Sequence, residues 1–105
     1  MADIRTAHTV HEIVVSFNSR NNNPVSGATF DTTMFKNGSL LNTGITISEQ
    51  LVDASRAIFD FSWSATTVGI YQLHIRNLST NVLYVSEIYN VLPDSYFDTV
   101  VYVGI

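Results

Sequence analysis

Cysteine is absent from the 105-residue chain, so no disulfide staples it and no thiolate serves as nucleophile or metal ligand. Lysine is nearly absent too: Lys36 is the only one, and the other cations, Arg5, Arg20, Arg56 and Arg76, are scattered singly. With five basic against nine acidic residues the net charge is −4. That balance excludes nucleic acid as a partner, because binding it needs a basic patch that releases counterions. Charged residues make up only 13% of the chain, against about a quarter in an average soluble domain. No apolar run approaches the roughly 18 residues of a membrane-spanning helix. Helix signals are also scarce. Only Ser48 to Ala57 carries helix formers behind a capping serine, and its start continues the alternation of Ile45 and Ile47, so it reads equally as strand and loop.

What the chain has is apolar mass, 46% of residues, enough for one small core and not for two. It also has 11 Ser, 11 Thr and 9 Asn. Its surface is therefore solubilised by hydroxyls and amides more than by charge. Such side chains lose less conformational entropy than lysines when a partner covers them. The start, Met-Ala-Asp-Ile-Arg-Thr, has no apolar leader, so synthesis and folding in a cytoplasm are expected.

The dominant pattern is a period of two in β-branched and aromatic residues. After an N-terminal arm over residues 1–9, a first strand runs from about Val10 to Asn18 with Ile13, Val15 and Phe17 on one face. Arg20 to Gly27 is a turn. Ala28 to Phe35 is a second strand, and Asn37-Gly38 then marks a tight hairpin returning through Ser39 to Asn42, since both central positions of a type I′ turn need positive φ. Ile45 to Leu51 follows. In the next strand Ala57, Phe59, Phe61 and Trp63 alternate with Ile58, Asp60 and Ser62, and in Gly69 to Arg76 the residues Tyr71, Leu73 and Ile75 share a face. Val82 to Val91 reads as one long strand in which either face can be the buried one. Pro93-Asp94-Ser95 interrupts it before a last strand, about Phe97 to Val103. Seven or eight strands at this spacing predict an all-β, antiparallel β-sandwich occupying residues 10–105. Phe17, Phe59, Phe61 and Tyr71 fit its core by alternation, and Trp63 continues that face. If Trp63 stood exposed at the strand end, it could stack on a sugar ring.

Chemistry-bearing residues do not assemble into a motif. His8 and His11, at i and i+3 in extended chain, point to opposite faces, which is poor for a shared metal, and His74 faces outward. The carboxylates, Glu12, Asp31, Glu49, Asp60 and Glu87 among them, read as solvated surface or turn residues. No serine sits in a Gly-x-Ser-x-Gly turn, and no Gly-rich phosphate loop is present. No catalytic residue, metal or cofactor is expected, and an enzyme is not the reading this sequence favours.

Two segments carry a resemblance. Asn23 to Phe30 (NPVSGATF) resembles the turn between the first two strands of immunoglobulin-like and transthyretin-like modules, and Thr67 to Ile75 (TVGIYQLHI) resembles their entry to a late strand. There a tyrosine hydroxyl closes a corner on the backbone, a role that falls to Tyr71. The layout as a whole, ending in Pro93 to Ile105 (PDSYFDTVVYVGI), resembles the immunoglobulin-like modules of bacteriophage virions: capsid decoration proteins and head or tail fibres. The resemblance implies a structural virion protein bound outside the shell, with the major capsid protein or other virion subunits as partners. A fibre or adhesin module that binds cell-surface carbohydrate, using strand-end loops such as Arg20–Ser26 and Ser64–Val68, is the alternative.

The ending, residues 96–105, is apolar on both faces: Tyr96, Val100 and Tyr102 on one, Phe97, Val101, Val103 and Ile105 on the other. A terminal strand of that kind is either an ordinary last strand of the sandwich or one that docks on a neighbouring subunit. A homotrimer would suit a quasi-threefold site on a shell. The expected result is a trimer that falls to monomers when Tyr96 to Ile105 are removed, read as absolute mass by light scattering on a sizing column. A monomer with and without the segment would favour a single-copy fibre or glycan-binding module.

Overall fold

The structure is a computed structural model that describes residues 1–18, 20–42, 44–52 and 57–97. Among them are nine strands and one helical turn: β1 (Ala2–Arg5), β2 (Thr9–Val15), β3 (Phe30–Lys36), β4 (Ser39–Leu41), β5 (Thr46–Val52), β6 (Ala57–Ser64), β7 (Gly69–Asn77), β8 (Val82–Val85), β9 (Tyr89–Leu92) and α1 (Asp94–Phe97). Strands β2, β6 and β5 form a three-stranded antiparallel sheet in the order β2-β6-β5. The larger sheet has the order β1-β9-β7-β3-β4, and β8 also pairs with β7. The chain is all-β, as its alternation predicts.

Aromatic side chains from the two sheets meet in a shared core. Phe30 of the larger sheet lies edge-on to Phe59 and Phe61 of the smaller, with ring centroids 4.8 and 4.9 Å away. At the other end Trp63 packs on Tyr71 and Tyr89, at 5.6 and 5.5 Å. Leu73, Ile75, Met34, Val91, Val10 and Val14 fill the space between. Burial of these side chains drives the packing of sheet on sheet.

Four features differ from the sequence expectations. First, residues 1–9 are not a free arm: Ala2–Arg5 pairs in parallel with Tyr89–Leu92, the one parallel pair among the described strands. Beyond β1 the chain turns at Ala7 (φ 65°), whose N–H donates to the Ala65 carbonyl, and enters the other sheet as β2. One continuous segment thereby contributes an edge strand to each sheet.

Second, β2 faces the opposite way from the expectation. Phe17 is 36% exposed, outside the core, and Ile13 and Val15 stand 54% and 51% exposed; Val10, Glu12 and Val14 point inward instead.

Third, the segment Val82 to Val91 is not one strand. On β7 Tyr71 and His74 are three positions apart, whereas their partners Tyr89 and Val85 are four apart. The extra residue breaks the alternation, so Tyr84 faces inward before it and Tyr89 and Val91 after it. Buried Ser86 holds the break: its Oγ accepts from the Leu73 N–H at 2.9 Å and donates to the Glu87 carbonyl at 2.8 Å. A single-phase reading of the segment has no consistent face to find.

Fourth, Tyr96 and Phe97 do not begin a strand. They belong to α1, which turns back on β1: the Arg5 guanidinium lies 5.1 Å from the centre of the Phe97 ring, and the Tyr96 hydroxyl reaches Asp3 at 3.5 Å. Proline at 93 cannot donate to a sheet and suits the entry to a helical turn. Val100, Val101, Tyr102, Val103 and Ile105 lie outside the described residues.

Other local readings match what the chain does. Asn37 and Gly38, with φ of 51° and 82°, form the two-residue link between Lys36 and Ser39, and the Asn37 side chain also accepts from the Ile70 N–H at 2.9 Å. Tyr71 donates its hydroxyl to the Thr67 carbonyl at 2.8 Å, closing the corner before β7. Tyr71→Phe keeps the ring and removes this bond, so a loss of about 1–2 kcal/mol is expected. Phe61→Ala, which empties a fully buried position, should cost about 3–5 kcal/mol. Urea unfolding midpoints of the two variants check this order.

Candidate functional site

The side chains with chemical capacity fall into three places. The first is inside. Glu12, from the inward face of β2, is 6% exposed. Its two carboxylate oxygens are each taken by a phenol of the opposite sheet: the Tyr84 hydroxyl donates to one at 2.9 Å and the Tyr89 hydroxyl to the other at 2.5 Å. A buried carboxylate is tolerated when charge-assisted bonds of this kind replace its water. The phenols respond to the same environment. Burial, then the bond to Glu12, then the charges of Glu12 and Glu87, push Tyr84 up to about 12 from the ordinary 10. The same causes, with Tyr84 added, push Tyr89 higher still. By sequence alone Glu12 reads as a surface carboxylate. The signal it carried was its place between Val10 and Val14 in the period of two.

The second place is the outer face of the three-stranded sheet. Ile13 and Val15 project from β2, and Val15 sits beside half-buried Ile58 of β6 in the ladder. The pair of His11 and Asp60, whose Nδ1 and Oδ2 are 3.0 Å apart, lies beside them on this face. Phe17 continues the apolar row just past β2, where it bridges to Pro24 at the mouth of the Asn21–Asn23 turn. An exposed apolar row on the outer face of a sheet is a surface prepared for contact.

The third place is the end of the sandwich at the β6–β7 turn. Trp63 and Tyr71, singled out from the sequence, are brought together here. Trp63 is 3% exposed, so it is a core residue and offers no open platform for stacking on a sugar. Beside it, residues of β3, β4 and the β6–β7 turn enclose a cleft of about 180 Å³. Lys36 crosses the rim and donates to Thr67 Oγ1 at 2.7 Å.

The remaining candidates stay apart. His74 is half-buried on the outer face of β7 with its ring 4.8 Å from that of Phe35. His8 lies in the turn between β1 and β2. Among the described residues no three histidines or carboxylates converge as metal ligands would, and no helix is long and apolar enough to cross a membrane. Tyr96 and Phe97 sit together against β1, at the edge of the larger sheet.

Set against known proteins, the chain matches no family model, no curated protein and no solved structure. Its geometry alone carries the functional argument.

The raised phenols make stability depend on pH. Their protons are held more tightly in the folded chain than in the unfolded one, so the stabilisation is complete below pH about 10 and is lost as pH rises through the folded value near 12. Thermal melts from pH 8 to 12, paired with the tyrosinate absorbance, are expected to show an alkaline decline that flattens in Tyr84→Phe. An unchanged pH slope in that variant would contradict the assignment.

Proposed function

We propose that the chain is a structural module of a bacteriophage virion, a capsid decoration protein that docks on the outer surface of the shell through the outward face of β2 and β6. The observation that carries this reading is the inverted β2. Ile13 and Val15 are given to the surface while Glu12 joins Val10 and Val14 in the core. A fold that keeps Glu12 inside and Ile13 and Val15 outside spends its apolar residues on contact with something else.

Composition supports the same reading. With one lysine in the chain, little side-chain entropy opposes covering this face. The strand order β2-β6-β5 against β9-β7-β3, with the Tyr71 hydroxyl bonded to the Thr67 carbonyl, supports an immunoglobulin-like reading of the sandwich. A shell repeats its sites by symmetry, so a contact of modest strength is multiplied across many copies, and a trimer would engage three neighbouring sites together. The proposed role is non-enzymatic: Glu12 is enclosed by Tyr84 and Tyr89, and among the described residues no three histidines or carboxylates converge.

The test is sedimentation of the purified chain with purified shells of the virus that encodes it. Retention on the shells is expected. Ile13→Ser with Val15→Ser, both at exposed positions, should lower the affinity at least about tenfold, since each side chain gives up burial worth more than the 1.4 kcal/mol that a factor of ten represents. Wild-type chain left in the supernatant, or a double variant that binds as well as the wild type, would overturn the reading.

A further inference from the structure

The outer face of the larger sheet lies on the side of the sandwich away from β2 and β6. We propose that it pairs with the same face of a second copy of this chain, forming a two-fold symmetric dimer.

The face is apolar at its wings. The ladders place four strands side by side in the order β8-β7-β3-β4. Tyr71, Leu73 and Ile75 of β7 are buried in the core, so Gln72, His74 and Arg76 between them point outward, and their ladder partners share that direction. On the β8 wing the partners of His74 and Arg76 are Val85 and Leu83, 44% and 46% exposed. On the β4 wing Leu40, the partner of Phe35, stands 75% exposed. Between the wings Asp31, Thr33, Phe35, His74, Arg76 and Leu83 border a recess of about 180 Å³. Apolar side chains this open on a sheet face mark a surface for contact.

The charges in the middle of the face say what covers it. Asp31 and Arg76 are direct ladder partners on β3 and β7. The one salt bridge among the described residues joins His11 to Asp60, so these two enter no ion pair there. Arg76 turns instead to the following turn, where its Nη1 donates to Asn81 Oδ1 at 3.2 Å. Its other N–H groups are left for a carboxylate from outside, and Asp31 is exposed. In a chain of net charge −4 this face offers one acid beside one base. A purely acidic or purely basic partner satisfies one of them; a second copy satisfies both.

A two-fold axis running along the strands, between β3 and β7, makes the exchange. Asp31 of one copy then faces Arg76 of the other, twice over, and the contact closes on itself. The same axis lays the β8 wing of each copy over the β4 wing of the other, so Leu83 and Val85 meet the side that carries Leu40. His74 comes to lie over Thr33. Stacked sheets with aligned strands pack in this manner. Strands about 4.8 Å apart and about seven residues long, at about 3.3 Å each, give a four-strand face of at most roughly 440 Å² per copy. About 900 Å² for the pair is the size of a weak, reversible contact, so the dimer belongs at micromolar concentrations. None of the β2–β6 residues takes part, and the pairing stands apart from the shell-docking reading.

Sedimentation equilibrium of the intact protein, from about 1 to about 500 µM, reads the mass directly. A rise from one chain to two is expected. Asp31→Arg and Arg76→Asp each set like charges against each other across the axis, and each alone should weaken the dimer at least about tenfold. Leu83→Ser, at an exposed position, should weaken it at least about threefold. Mixed in equal amounts, the two charge variants should pair again, because each then meets opposite charge at both positions. Recovery in the mixture also shows that both variants are folded. A wild-type chain that stays monomeric at about 500 µM would overturn the proposal. So would an oligomer, a trimer included, whose mass neither charge variant changes, or charge variants whose mixture stays monomeric.

Discussion

Burial of the Glu12 carboxylate against Tyr84 and Tyr89 is the constraint on which the rest of this molecule depends. Two sheets that met only through aliphatic and aromatic contacts could slide or repack at small cost. A carboxylate enclosed between them cannot, because any shift that lengthens its two bonds leaves a buried charge without partners. The bonds run from the second strand to the eighth and ninth, and so tie the edge of one sheet to the far side of the other. At the other end of the core Asn77 does similar work with neutral groups: its amide donates to buried Ser16 at 2.8 Å while its carbonyl oxygen accepts from Ser79 and Thr80 in the following turn.

Once Glu12 is inside, the strand's period of two decides where its neighbours go. Ile13 and Val15 must face outward, and Phe17 follows them to the surface. The apolar row proposed as the docking face is thus the geometric consequence of the buried carboxylate. The same end-to-end logic places the indole of Trp63. It lies on the inward phase of β6, two residues beyond Phe61, and reaches the end of the sandwich with its ring covered by Tyr71 and Tyr89.

The sequence was legible where one rule acted alone. Ala57 to Trp63 and Tyr71 to Ile75 alternate without a competing signal, and they are core strands in the phase expected. Asn37-Gly38 is the hairpin link it promised, because positive φ at both positions is cheap for those two residues. It misled where hydrophobicity and hydrogen bonding pulled apart. In β2 the more apolar face looked like the core face, and only the partners of Glu12, some seventy residues away, reverse that ranking. In Val82 to Val91 one extra residue divides the strand into two phases, and a pattern read locally cannot show an extra residue opposite a strand it does not see. Parallel pairing of Ala2–Arg5 was invisible for the same reason, since its partner is Tyr89–Leu92. Trp63 was legible as well: its place in the alternation of β6 reads as core, and it is 3% exposed.

The central claim, that the core phase of β2 is the one carrying Glu12, can be measured directly because the chain has no cysteine of its own. Ile13→Cys and Val14→Cys each introduce a single thiol one residue apart on the same strand. Alkylation of the folded proteins under native conditions should modify the cysteine at 13 at least about tenfold faster than the one at 14, since access controls the rate. The reverse order, with position 14 reactive and position 13 protected, would put Ile13 and Val15 in the core and contradict the account.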